Sequence, residues 1–354
     1  MIMTIGRNIF RIKTRFSRYY SLNINPTITD NVNQNIHALS NTNDIIVEQN
    51  WEHKQIRRDT DKSLRIAILG LPNVGKSTLI NRLVGRPVCG MSSKVHTTKK
   101  KLDAIYIEDD TQLIFVDTPG LVTNHDFKKF KLNPTFKCDI DKSLSNCDIV
   151  GIVQDASHPF KSSKIDERIM VCLKKLPPNL RSILILNKID KLKSKKKLLE
   201  LVDVLTGADN WPNFSDVFMV SALKDDGVID IRNYLLDMSE SRDWEYDPET
   251  ITDSPPEKIA TEIVRSKFMD ALPEELPYSV GVGIEHFGTL PDGSMSIVVA
   301  VKCPTDRISK IVMGKHGARV KIVAIQAEQE LSQVFKTTVR LKIAIKFSDK
   351  NELC

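Results

Sequence analysis

The sequence predicts an α/β domain built on a mostly parallel sheet, followed by a smaller α+β domain. Three observations carry this. The apolar runs "SLRIAILG", "QLIFVDTPGL" and "SILILNKID" each end in glycine or polar residues, as buried parallel strands do. A glycine-rich loop and then a helical period follow the first run directly. Beyond "SRDWEYDPETITDSPPEK" the pattern changes to a helix, two alternating strands, helices on both sides of a second glycine loop, and a last strand. At 354 residues the chain is about twice the usual single-domain length, which leaves room for both and a tail.

In chain order, the first stretch "MIMTIGRNIFRIKTRFSRYYSLN" carries Arg7, Arg11, Lys13, Arg15 and Arg18, and the first acid is Asp30. Basic residues interleaved with Ile9, Phe10, Ile12 and Phe16 read as an amphipathic mitochondrial transit peptide over 1–20; the alternative is a basic arm that touches RNA. Residues 21–62 are Asn-rich and polar, and read as a disordered linker. No apolar run approaches the roughly 20 residues of a membrane span, so no transmembrane segment is expected. Net charge is +6, compatible with an anionic partner but equally with an ordinary basic enzyme. Cys89, Cys138, Cys147, Cys172, Cys303 and Cys354 show no metal-ligand spacing and read as reduced, structural thiols.

Gly70 to Ser77 fits G-x-x-x-x-G-K-[ST] between a strand and a helix. Glycines let backbone N–H groups wrap a phosphate at the helix start, Lys76 reaches the β and γ oxygens, and Ser77 ligates Mg²⁺. Gly70, Asn73, Val74, Gly75, Lys76, Ser77 and Thr78 are the phosphate-binding candidates. Asp117, Thr118, Pro119 and Gly120 close the second strand, where a carboxylate holds Mg²⁺ and a glycine turns toward the γ-phosphate. Between them Thr97 or Thr98, with preference for Thr98, fits a switch threonine, so Ser77, Thr98 and Asp117 form the Mg²⁺ set. "NKID", with Asn187, Lys188 and Asp190, resembles the guanine motif of the Ras-like superfamily: Asp190 accepts from guanine N1–H and N2–H₂, which adenine lacks. Ser221 and Ala222 stand where that superfamily supports guanine O6. The fold implied is a Ras-like P-loop GTPase domain, binding GTP and Mg²⁺. Leu121 and Val122 replace a catalytic glutamine, which implies slow intrinsic hydrolysis. "KLKSKKK" reads as a solvated helix face or an RNA contact, and His96 and His158 as loop histidines without a catalytic role.

After Pro255 the element order α-β-β-α-α-β is that of a type II KH domain. "ATEIVRSKFMDALPEELPYSVGVGIEHF" and "SKIVMGKHGARVKIVAIQAEQEL", paired with "GLPNVGKS", resemble the Era-type GTPases, and the basic leader resembles their mitochondrial branch. In a KH domain the G-x-x-G turn clamps single-stranded backbone. Lys310, Ile311, Gly314, Lys315, His316, Gly317 and Arg319 are the RNA-binding candidates, with Lys321 as further charge and Ile311, Val312 and Ala318 as an apolar groove floor. From residue 255 onward there are 14 Lys and Arg against 12 Asp and Glu, so RNA affinity must come from a local patch.

The domains expected are therefore 63–247 for the GTPase, 248–348 for the KH domain and 349–354 as a short tail. The resemblance implies a GTP-hydrolysing RNA chaperone of the mitochondrial matrix. Its partners are small-subunit ribosomal RNA and the assembling mitochondrial small ribosomal subunit. Peripheral inner-membrane contact and a monomeric state are also expected. Asn73 is shared with bacterial relatives in which it helps to hold potassium, so K⁺ joins GTP and Mg²⁺ as an expected cofactor at Asn73. The other readings are an RNA-binding scaffold with a structural nucleotide pocket and a GTPase acting in RNA modification.

Overall fold

Strand β1 (Lys62–Gly70) places Ile66, Ile68 and Leu69 out of water on both faces, which only a strand covered on two sides can do. The computed structural model describes residues 60–92, 102–118, 144, 146–158, 162–178, 180–194 and 196–347. All fall within one compact unit, Gln55–Cys354. The basic leader, most of the polar linker, the short tail, Thr97, Thr98, Pro119 and Gly120 lie outside the described residues.

Helix α1 (Lys76–Val84) follows β1, and then come the hairpin β2 (Leu102–Glu108) and β3 (Thr111–Asp117). Strand β4 (Ile149–Asp155), helix α2 (Glu167–Lys174), strand β5 (Arg181–Asn187), helix α3 (Lys196–Leu205), strand β6 (Phe214–Met219) and helix α4 (Val228–Asp237) continue the lobe. The strand order is β2-β3-β1-β4-β5-β6, parallel except at the β2–β3 edge. Leu79, Leu83, Ile231 and Leu235 from α1 and α4 cover one face, and Ile169, Leu173, Leu198 and Leu205 from α2 and α3 the other. Both faces are shut, so the open places are the carboxyl ends of the strands, where parallel sheets bind ligands.

The chain after α4 does not leave this lobe at once. Strand β7 (Glu240–Ser241) pairs antiparallel with the start of β1. The buried Gln112 side chain accepts from the Glu245 and Tyr246 N–H groups (2.9 and 3.1 Å) and donates to the Tyr246 carbonyl (2.8 Å). Ile105 N–H donates to the Ile251 carbonyl at 2.9 Å, and Ala104 and Thr252 form an antiparallel bridge. The polar, proline-rich stretch read as a connection between domains is thus bonded to β2 and β3 as far as Asp253.

The smaller lobe opens with helix α5 (Pro256–Ala271), which has proline at its first turn, and a short helix α6 (Leu276–Ser279). Strands β8 (Gly281–Thr289) and β9 (Met295–Cys303) form an antiparallel pair. Helix α7 (Asp306–Met313), a 3₁₀ turn at Lys315–Gly317 and helix α8 (Ala318–Phe335) lead to β10 (Val339–Phe347), which lies parallel to β9. Ile263, Phe268, Val299, Val323 and Leu331 share one core between the helices and this sheet. Val312, expected on a groove floor, is fully buried in that core. It sits on the inward side of α7, whereas Ile311 is half-buried and Ala318 exposed. Among the described residues, no helix is long and apolar enough to cross a membrane and the cysteines are unbonded.

Candidate functional site

Four parallel strands end side by side at one edge: β1 at Gly70, β3 at Asp117, β4 at Asp155 and β5 at Asn187, with Asp155 in register with Asn187. The loop from Gly70 to Gly75 turns over this edge into α1. Gly75 has φ 100°, and a Cβ there would run into the Asn187 amide, so the loop closes only with glycine. Asn73 also takes a left-handed conformation, φ 62°.

Two side chains, the last of β5 and the one after it, hold the loop down by consecutive carbonyls. Asn187 Nδ2 donates to the Val74 carbonyl at 2.8 Å, and Lys188 Nζ to the Asn73 carbonyl at 2.6 Å. Lys188 Nζ also pairs with Asp155 at 2.7 Å. Burial alone would raise the Asp155 carboxyl, but Lys188 and the Ser157 hydroxyl and N–H hold it below its ordinary value. Sequence reasoning missed Asp155. The signal was present, because "IVGIVQD" is an apolar run ending in a carboxylate just as "QLIFVD" is, but no fixed spacing marks it.

Lys76 is buried at the mouth of α1, its Nζ donating to the Gly70 and Leu71 carbonyls at 3.2 and 3.0 Å. Burial pushes its ammonium down to about 8, against the pull of Asp117. Ser77 Oγ donates to Asp117 Oδ2 at 2.8 Å, and the next residue, Thr118, donates to the Ile68 carbonyl at 2.6 Å. A hydroxyl and a carboxylate held this close are hard-oxygen donors of the kind Mg²⁺ takes. Thr78 is half-buried one position further along the helix.

Beyond the end of β5, the Asp190 carboxylate accepts from Ser221 Oγ at 2.6 Å, which fixes its position. Asn187 Oδ1 accepts from the N–H groups of Lys188 and Ala222 at 2.8 and 3.0 Å. Asn187 therefore ties the phosphate loop, its own strand end and the Ser221–Ala222 turn into one frame. The candidates expected to meet a guanine nucleotide thus converge, as far as they are described.

The second glycine loop lies in the smaller lobe. Gly314 (φ 71°), His316 (φ 52°) and Gly317 (φ 76°) are left-handed, and a Cβ on Gly314 would sit 2.9 Å from that of Arg319. Thr305 caps α7, its hydroxyl accepting from Ile308 N–H at 3.2 Å, and Lys315 and His316 are exposed at the turn between the helices. Arg319 donates to the Ile311 carbonyl and so braces the turn from within. Lys310 pairs with Asp306 at 2.7 Å.

Residues 65–188 match the family described as "50S ribosome-binding GTPase". The chain is 32% identical to the mitochondrial GTPase Era of Danio rerio, over 80% of this chain and 75% of that protein. It belongs to the Era family of GTPases. The GTPase Era of Erythrobacter litoralis is 34% identical, with 80% of this chain and 91% of that protein covered. Among solved structures, an Era complex with MgGDPNP and nucleotides 1506–1542 of 16S ribosomal RNA matches with a TM-score of 0.69 and 29% identity. It covers 82% of this chain and 95% of its own. Aquifex aeolicus Era bound to GDP and AlF4⁻ gives the same figures. Membership makes this Era-family chain a GTPase, and the match extends over both lobes.

Proposed function

We propose that this chain is a GTP-switched RNA chaperone that binds small-subunit ribosomal RNA and promotes assembly of the mitochondrial small ribosomal subunit. The observation that carries the reading is the pairing, in one compact unit, of the convergent strand-end site with a glycine-hinged turn between two helices. The smaller lobe's antiparallel β8–β9 and parallel β9–β10 pairs agree with a type II KH domain. In this reading Gly70, Asn73, Val74, Gly75, Lys76, Ser77 and Thr78 hold the phosphates. Ser77, Asp117 and Thr98 take Mg²⁺, and Asp190, framed by Asn187, Lys188, Ser221 and Ala222, selects guanine. Lys315, His316 and the flanking N–H groups meet the RNA backbone. The mitochondrial relative and the basic leader support import into the matrix. Partners proposed beyond RNA are the assembling subunit and a peripheral contact with the inner membrane.

Potassium is proposed at Asn73, an exposed residue of the loop with a left-handed backbone, to supply positive charge where Leu121 and Val122 take the place of a catalytic glutamine. GTP turnover is then faster in KCl than in NaCl; equal rates would remove the ion from the account. The RNA assignment is tested by crosslinking the protein to RNA in mitochondria and sequencing the bound fragments. Reads concentrated near the 3′ end of the small ribosomal RNA are the expected result. Reads spread over messenger or transfer RNAs would refute the partner.

A further inference from the structure

Helix α8 has an outward face that the core of its lobe does not use. Val323, Ala327, Leu331 and Val334 point into the core. Away from them Ala318, Ile322, Ile325, Gln329 and Gln333 follow at spacings of four, three, four and four, all exposed, which places them on one stripe. Ile322 is 55% and Ile325 48% exposed, two large aliphatic side chains standing in water one turn apart. The stripe begins at the Lys315–Gly317 turn and ends about 23 Å along the helix at Gln333.

At Gln333 the stripe runs into a cleft of about 760 Å³ between the lobes, whose cations are Arg82, Arg86, Arg232 and Lys267 and whose acids are Asp225 and Asp270. Lys267 is matched by Glu330, and Asp270 accepts from Ser92 Oγ at 2.9 Å. Arg82 donates to the Ala222 and Leu223 carbonyls, and Arg232 to the Leu83 and Arg82 carbonyls while stacking over the Tyr106 ring, and neither has an ion pair among the described residues. Arg86, half-buried, makes no side-chain hydrogen bond or ion pair among the described residues.

A row of exposed aliphatics and amides that links a backbone clamp to an unneutralised guanidinium suits a polymer with flat apolar bases and a phosphate chain. A free nucleotide would fill the cleft and ignore the stripe. We infer that single-stranded RNA leaves the Gly314–Gly317 turn, crosses the outward face of α8 over Ile322 and Ile325, and sets a phosphate against Arg86 in the cleft. This rests on the RNA reading above. An RNA so placed touches both lobes.

The test uses the full chain and a fluorescein-labelled single-stranded RNA of about 20 nucleotides, longer than the four or so that a KH turn clamps. Anisotropy is followed across a KCl series for wild type, Arg86→Ala, Ile325→Gln and Lys315→Ala. Arg86→Ala is expected to bind roughly tenfold more weakly. Its log–log salt slope should be shallower by about 0.7, one phosphate contact on a single strand. Ile325→Gln should weaken binding with the slope unchanged. Both side chains leave the core untouched, so folding is not in question. If both variants bind like wild type while Lys315→Ala is weakened, the track is overturned and the RNA reading stands. If wild type fails to bind this RNA, both are overturned. If Arg86 matters only for sedimentation with anionic vesicles, the cleft is a membrane contact and the inference is wrong.

Discussion

Lys76 is the side chain whose charge depends most on what fills the phosphate loop. Two carbonyls accept from its ammonium, but burial pushes that ammonium down to about 8. Phosphate oxygens favour the charged form, so binding raises this value again. The sign follows: below about 8 the free lysine is already protonated and affinity is flat in pH from this group, whereas above it binding must take up a proton. GDP affinity should fall by up to about tenfold per pH unit above 8, until Lys76 is titrated in the complex as well. Calorimetry at about pH 9 in buffers of different ionisation enthalpy should record uptake of close to one proton; no uptake would show that Lys76 does not meet the phosphates. The residue's place was legible, because glycine spacing and the G-K-S ending specify a loop geometry that few folds share. What spacing could not convey is the frame behind it. The amide of Asn187, a residue of the guanine motif, is bonded to Val74, Lys188 and Ala222, and the Asp155 that steadies Lys188 is marked only by an apolar run ending in a carboxylate, with no fixed spacing.

Among elements, the segment from β7 to Asp253 departs most from its sequence reading. Its prolines and acids read as a passage between domains, and locally nothing contradicts that. Its partners lie far away in the sequence: Arg242 pairs with Asp148 at 2.9 Å, and Glu245 and Asp103 both meet the buried Arg65. Tyr246 Oη donates to Asp103 at 2.8 Å, and burial together with that carboxylate pushes its phenol up. Glu245 and Tyr246 also hang on Gln112, one residue into β3. Single-sequence periodicity is blind to such pairs, since each member alone looks like a surface polar residue. The consequence is mechanical. This segment grips β2 and β3, the strand pair where Leu102 stands opposite the Mg²⁺ candidate Asp117, and runs straight into α5 of the smaller lobe. The helices around Gly314–Gly317, by contrast, were legible, because two helical periods broken by G-x-x-G leave little choice of geometry.

At the scale of the molecule, the candidate guanine-nucleotide site and the proposed RNA clamp sit in lobes joined by a braced segment rather than by slack chain. Era-family membership makes the nucleotide chemistry secure, and the order of motifs made the two-lobe plan readable in advance. The contacts between the lobes were not readable, since Ser92 meets Asp270 and Gly90 packs against the Glu262 carbonyl across far-separated sequence. Coupling between two such sites is a difference in affinity, commonly five- to about 150-fold. The central claim is that nucleotide state sets how tightly the chain holds RNA. Its most direct test is the affinity of the full chain for a small-subunit rRNA 3′-end fragment with GDPNP and with GDP, in wild type and Lys76→Ala. The account predicts binding on the order of tenfold tighter with GDPNP in wild type, and no nucleotide dependence, with RNA still bound, in Lys76→Ala. Equal affinity in the two states of the wild-type protein would contradict it and leave an RNA scaffold whose nucleotide site is structural.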